Sequence, residues 1–169
     1  MSDHPIGLLQ RYKKAGVLLD TSLLLLYFVG AFNPQEIPRF KRTIMYTEDD
    51  YSTLVNFLGH FEKVVTTPNI LTEVSNLSGQ LGLTENLKQS YFEKFASGIT
   101  LLLTEHYLSS AEIARMQEFK RFGLTDAGVV RLARGNYLVL TDDFRLSGYL
   151  KKAGVDVLNF NHIRVMNWE

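Results

Sequence analysis

At 169 residues, with 46% hydrophobic and 12% aromatic side chains, the chain can bury a sizeable core, and residues 1–169 are expected to form one domain. Eighteen basic residues balance eighteen acidic ones, which excludes nucleic-acid binding by bulk charge and confines any such contact to a local patch. The absence of cysteine excludes disulfides, thiolate zinc sites and a cysteine nucleophile.

In chain order, the stretch from Met1 to Gln10 lacks a basic start followed by an apolar run, so no signal peptide is expected. Val17–Leu19 reads as a buried strand. Leu23–Phe32 is the most hydrophobic stretch, yet too short for the roughly 20 residues that cross a bilayer. A soluble, cytoplasmic chain without membrane contact is therefore expected, and the Leu-rich stripe predicts a core helix over Ser22–Gly30. Asn33–Asp50 is the largest irregular piece. It carries Arg39, Lys41 and Arg42 around Phe40, a combination of charge and stacking suited to RNA, although a solvated loop has the same composition.

Beyond it, helices are predicted over Glu48–Phe61, Pro68–Gln80, Thr84–Ser97, Ser110–Lys120, Asp126–Arg134 and Arg145–Ala153. Strands are predicted over Lys63–Thr66, Tyr137–Leu140 and Val155–Leu158, while Ile99–Leu103 reads as a fifth strand or as the end of a helix. Thr67-Pro68 places a cap before proline at the first helical position, and Gly135 and Gly154 suit left-handed helix ends. Strands alternating with helices imply an α/β fold with a parallel sheet covered on both faces.

Ligand sites in open parallel sheets lie beyond the carboxyl ends of the strands. Asp20 follows the first strand directly, and Asp142 and Asp143 follow the strand ending at Leu140. Glu73 shares a helix face with Ile70 and Leu77, and Asp126 opens a helix on the face of Val129, Val130 and Ala133. Crowded, poorly solvated carboxylates repel one another until protons or a cation neutralise them. Oxygen-only ligands favour Mg²⁺ or Mn²⁺, which lower the pKa of a bound water and steady charge on a phosphoryl oxygen. Each acid also has an ordinary reading. Asp20 and Asp126 could be helix caps, Glu73 a surface residue, and the Asp142-Asp143 pair a solvated turn. What points to chemistry is their recurrence together. His60, His106 and His162 show no metal-ligand spacing, and Ser22 has no histidine partner for a serine nucleophile.

The succession Leu-Leu-Asp-Thr-Ser, Pro-Asn-Ile-Leu-Thr-Glu-Val-Ser, Leu-Thr-Asp-Ala-Gly-Val-Val and Leu-Thr-Asp-Asp-Phe resembles the PIN-domain family from about Val17 to Phe160. The resemblance implies a three-layer α/β/α sandwich with a central parallel sheet of four or five strands, and Mg²⁺- or Mn²⁺-dependent hydrolysis of RNA. It assigns Asp20, Glu73, Asp126 and Asp143 as the catalytic acids, Asp20, Asp126 and Asp143 as metal ligands with Asp142 as auxiliary, and Thr21 and Thr141 as hydroxyl neighbours. It further suggests RNA as substrate, and as partners a second copy of the chain and an antitoxin-like protein inhibitor. Greater length and the Asn33–Asp50 segment set this chain apart from the small toxin-type members.

Other classes compete, among them a phosphorelay receiver domain, which would need a Lys after the last strand where this chain has Asn159 and Phe160. A haloacid-dehalogenase-type phosphatase would carry a second Asp two residues after the first, where this chain has Ser22. A catalytically quiet module of the same fold, binding RNA or a protein, would need none of the acids, yet all are present.

Overall fold

A computed structural model describes residues 4–166. Five short parallel strands form one sheet: β1 (Val17–Leu19), β2 (Val64–Thr66), β3 (Leu103–Glu105), β4 (Leu138–Thr141) and β5 (Val157–Asn159), in the order β3-β2-β1-β4-β5. β1 and β4 are buried along their whole length, which is why both read as unbroken apolar runs rather than alternating ones. The helices are α1 (Pro5–Tyr12), α2 (Thr21–Phe32), α3 (Glu48–Leu58), α4 (Pro68–Ser78), α5 (Glu85–Leu101), α6 (Ser110–Ala114), α7 (Gln117–Ala133), α8 (Phe144–Lys152) and α9 (Phe160–Ile163). The α/β sandwich expected from the sequence is the fold observed, with five strands. No helix among the described residues is long and apolar enough to cross a membrane.

From β1 the chain moves outward to β2 and β3, then returns to place β4 on the other side of β1. Right-handed crossovers therefore put α2, α4 and α5 on one face, where they pack together, and α7 and α8 on the other. The direction of winding reverses between β1 and β4, the position where open α/β sheets form their ligand crevice. Register pairs Leu19 with Leu140, so the residues that follow, Asp20 and Thr141-Asp142, emerge side by side.

α2 is the hub of the core: Leu23 to Leu26, Phe28 and Val29 are all buried. Each such side chain contributes roughly 1.5–3 kcal/mol on burial. Phe28 lies directly over Gly98 of α5, where any side chain would meet the ring.

Several boundaries differ from the sequence expectation. Ile99–Leu101 completes α5, and the third strand is Leu103–Glu105 instead. Val155 bonds back to Leu150 after the left-handed Gly154, so the last strand begins at Val157. The single helix expected over Ser110–Lys120 is two, because α6 stops at Ala114 and α7 starts at Gln117. α7 itself breaks at Gly123 (φ 78°, ψ −173°), a conformation open essentially to glycine alone, so the turn carrying Asp126 starts afresh after it. Thr67, Gly135 and Gly154 behave as expected: Thr67 accepts from the Ile70 N–H, and both glycines are left-handed. α1 and the short α9 form where the sequence pattern predicts no element.

Phe40 is corrected most sharply. It is buried together with Ile37, Thr43 and Tyr46, so the irregular segment is an extension of the core, and its ring is closed to a base.

Candidate active site

Asp20 directly follows β1 and caps α2, its Oδ1 accepting from the Leu23 N–H at 3.0 Å. Its Oδ2 accepts from the Thr141 hydroxyl and, at 3.2 Å, from the Asp142 N–H. The carboxylate is buried, and desolvation followed by repulsion from Asp142 pushes its pKa from 3.8 to about 8, against the pull of these hydrogen bonds. The capping role and the burial hold together: the first is local chemistry, the second comes from β4 lying against β1.

Asp142 follows β4 and receives the hydroxyl of Tyr46 on Oδ2. Tyr46 is itself buried, tilted against Phe160 at 6.1 Å and covered by the Arg164 guanidinium 5.2 Å from its centroid. Arg164 grips Asp50 with two hydrogen bonds of 3.0 and 2.6 Å and reaches the Met45 carbonyl. The Asn161 amide donates to the Asp142 carbonyl at 2.8 Å. Burial and its bond to Asp142 raise the Tyr46 pKa well beyond the usual tyrosine range, so it remains a proton donor.

Asp143 caps α8, its Oδ1 accepting from the Arg145 and Leu146 N–H groups at 2.7 and 3.0 Å, while its other oxygen has no hydrogen-bond donor among the described residues. The Asp143 N–H donates to the Thr141 hydroxyl, which donates on to Asp20. Thr141 thus ties the two strand ends together.

Glu73 lies on an exposed rim rather than on the inward face its spacing suggested. Both its oxygens are nonetheless engaged, Oε2 by the Thr21 hydroxyl at 2.8 Å and Oε1 by that of Thr125 at 2.5 Å. Thr125 precedes Asp126, which is half-buried and, among the described residues, accepts no hydrogen bond. Desolvation, then repulsion from Glu73 and from Asp143, raises the Asp126 pKa to about 6.

Asp20, Glu73, Asp126, Asp142 and Asp143 therefore gather at the carboxyl end of the sheet from four separate segments of chain. Among the described residues, no lysine, arginine or histidine forms an ion pair with any of them. Oxygen-only donors under mutual repulsion suit a hard divalent cation in their chemistry. As the side chains stand, however, no group of three or more described His, Cys, Asp or Glu residues is already arranged around one ion position. Tyr46, Thr141 and main-chain donors occupy the oxygens that such an ion would take.

Arg39 and Lys41 line a surface groove with Glu36, Gln80 and Leu83. Arg39 pairs with Glu36 at 3.6 Å, and Arg42 bonds to Gln80 at 3.3 Å. Gln80 lies in the turn after α4 ends at Ser78, whereas Glu73 is in the middle of that helix. Thr125 and Tyr46 are the site residues that spacing missed. Thr125 could have been found, since it repeats the Thr-Asp order of Thr141-Asp142; Tyr46, 96 residues from its partner, could not. The histidines behave as ordinary ones, His106 meeting the Tyr137 hydroxyl and His60 its own helix carbonyls. No family model matches the chain, and no curated protein or solved structure matches it either.

Proposed function

We propose that this chain is a Mg²⁺- or Mn²⁺-dependent ribonuclease of the PIN-domain kind. The observation that carries the reading is the gathering of five carboxylates, none with a cationic partner among the described residues, at the topological switch point, with Asp20 and Asp126 raised by burial and repulsion. Such an arrangement is destabilising in the apo state and gains by neutralisation, as expected of a functional site.

Asp20, Asp126 and Asp143, with Asp142 beside them, would hold the cation, in part through water. When bound, it supplies a water of lowered pKa and takes up charge at the phosphoryl oxygen. Glu73 orients the attacking water and accepts its proton, while Thr21 and Thr125 fix the carboxylate and keep it on the crevice side of α4. The water oxygen bonds to phosphorus, the bond to the 3′ oxygen breaks, and that oxygen takes up a proton, leaving 5′-phosphate and 3′-hydroxyl ends. Tyr46 and Thr141 hold Asp142 and Asp20 in place, as outer hydrogen-bond partners do around ligating carboxylates.

The test is cleavage of a panel of RNAs with Mn²⁺ and with EDTA, using wild type and Asp20→Asn. Mn²⁺-dependent cleavage lost in the variant supports the reading. An unchanged rate in the variant removes Asp20 from the mechanism.

The second reading, a catalytically quiet module of this fold that binds RNA or a protein, is favoured by the absence of a ready-made ion position among the described residues. A Mn²⁺ titration read by melting temperature separates the two, because a native-state ligand raises it.

A further inference from the structure

Beside the acids, two flanks of the α8 N-terminus carry groups that the chemistry above leaves unused. On one side, Phe144 directly follows Asp143 and is 62% exposed. Its ring is met edge-on by His162, with centroids 5.8 Å apart. On the other side, Arg145 reaches back to the Arg121 carbonyl at 3.1 Å and lies over the Phe122 ring at 5.1 Å. Arg121 lies over Phe122 at 5.0 Å and over Tyr149 at 5.2 Å.

Both guanidiniums are exposed, and among the described residues neither has an acidic partner. The nearby acid, Glu118, is buried and already engaged by the Tyr149 hydroxyl at 2.7 Å and by Arg134 at 3.7 Å. Two exposed cations are thus stacked on aromatic rings, Arg121 five residues before Asp126 and Arg145 two residues after Asp143. In a chain of zero net charge, the pair concentrates positive charge on α7, which contains Asp126, and on α8, which Asp143 caps.

We propose that Phe144, Arg121 and Arg145 form the strand-gripping surface of the site. Phe144 stacks one unpaired base, and the two guanidiniums take the phosphates on the α7 side. The assignment rests on the ribonuclease reading and deepens it. An exposed ring beside an acid crevice needs a base with a free π-face, which a strand offers and a closed duplex does not. The guanidinium fork matches phosphate oxygens, and stacking on Phe122 and Tyr149 keeps it pre-organised.

The test is fluorescence anisotropy with the full chain and a labelled single-stranded oligoribonucleotide in EDTA, where cleavage is off. Phe144→Ala should weaken binding by about fivefold or more, the range for loss of one stacked base, and Phe144→Trp should restore it. Arg121→Ala with Arg145→Ala should lower the slope of log K against log salt by about 1.4, for two phosphates of a single strand. A duplex of the same sequence should be indifferent to Phe144→Ala. Undiminished strand binding by Phe144→Ala, or a greater loss from Arg39→Ala with Lys41→Ala than from the Arg121 and Arg145 pair, overturns the proposal. Cleavage in Mn²⁺ is run in parallel. Strand binding that depends on Phe144 in a protein that never cleaves would sink the ribonuclease reading and keep this surface; cleavage with binding indifferent to Phe144 would do the reverse.

Discussion

The hydroxyl of Tyr46 donates to the Asp142 carboxylate across 96 residues of sequence, from a buried ring clamped between Phe160 and Arg164. The segment that reads as a surface loop is thereby built into the acid crevice. Its anchor is the Arg164–Asp50 pair at 2.6 Å, with Asp50 also completing a capping box with Thr47 at the start of α3.

Tyr46→Phe removes only the hydroxyl and keeps the ring in the core. Loss of an outer partner of a ligating carboxylate lowers metal affinity or activity by about 10–100-fold. Mn²⁺ affinity measured by calorimetry, alongside the cleavage rate, should fall into that range while the circular dichroism spectrum stays unchanged. A variant with wild-type affinity and rate would show that Asp142 needs no such support.

The Asp20 carboxyl makes the metal-free protein sensitive to pH. Its folded pKa of about 8 lies above the ordinary 3.8, so the folded state holds the proton more tightly than the unfolded chain does. The stability this provides is complete below about pH 4, declines as pH rises and is gone above about pH 8. Asp126, raised to about 6, acts with the same sign over a lower window. Melting temperature in EDTA should therefore drop between about pH 5 and pH 8. Asp20→Asn should flatten that drop; an equally steep decline in the variant would place the titrating proton elsewhere.

Mn²⁺ at about 100 times its dissociation constant should stabilise the native state by about 2.7 kcal/mol. For a chain of this size that corresponds to a rise of about 5–10 °C in melting temperature. At one fixed Mn²⁺ concentration the rise should be larger at pH 8 than at pH 6, because protons compete with the cation for Asp20 and Asp126 and raise its apparent dissociation constant at the lower pH. EDTA should reverse it. Absence of any rise at either pH would favour the quiet-module reading.

Gly123→Ala tests the break in α7. A Cβ at φ 78° and ψ −173° is strained, although no neighbouring atom stands in its way. The substitution should cost about 1–3 kcal/mol, read by chemical denaturation. Cleavage should fall as well, since the break sets the direction from which Thr125 and Asp126 enter the crevice. Wild-type stability in this variant would mean that the break tolerates a side chain.

Much was legible along the chain because it depends on neighbours in sequence. Continuous apolar runs mark Val17–Leu19 and Leu138–Leu140 as strands buried on both faces, and Thr67-Pro68, Gly135 and Gly154 mark helix ends through their own backbone preferences. The order of strands and acids along the chain, combined with the crevice rule for parallel sheets, selected Asp20, Asp142 and Asp143, while Glu73 and Asp126 were selected by their helix faces and by the family resemblance. Other features were decided only when the sheet closed. Glu73 is exposed, Phe40 is sealed in the core, Tyr46 reaches Asp142, and Arg121 and Arg145 stack on Phe122. Periodicity reports which face of an element is apolar, and hence that it is buried. It carries no information on which distant element covers that face, and the pairing of charges, hydroxyls and rings across the crevice is set by that choice alone.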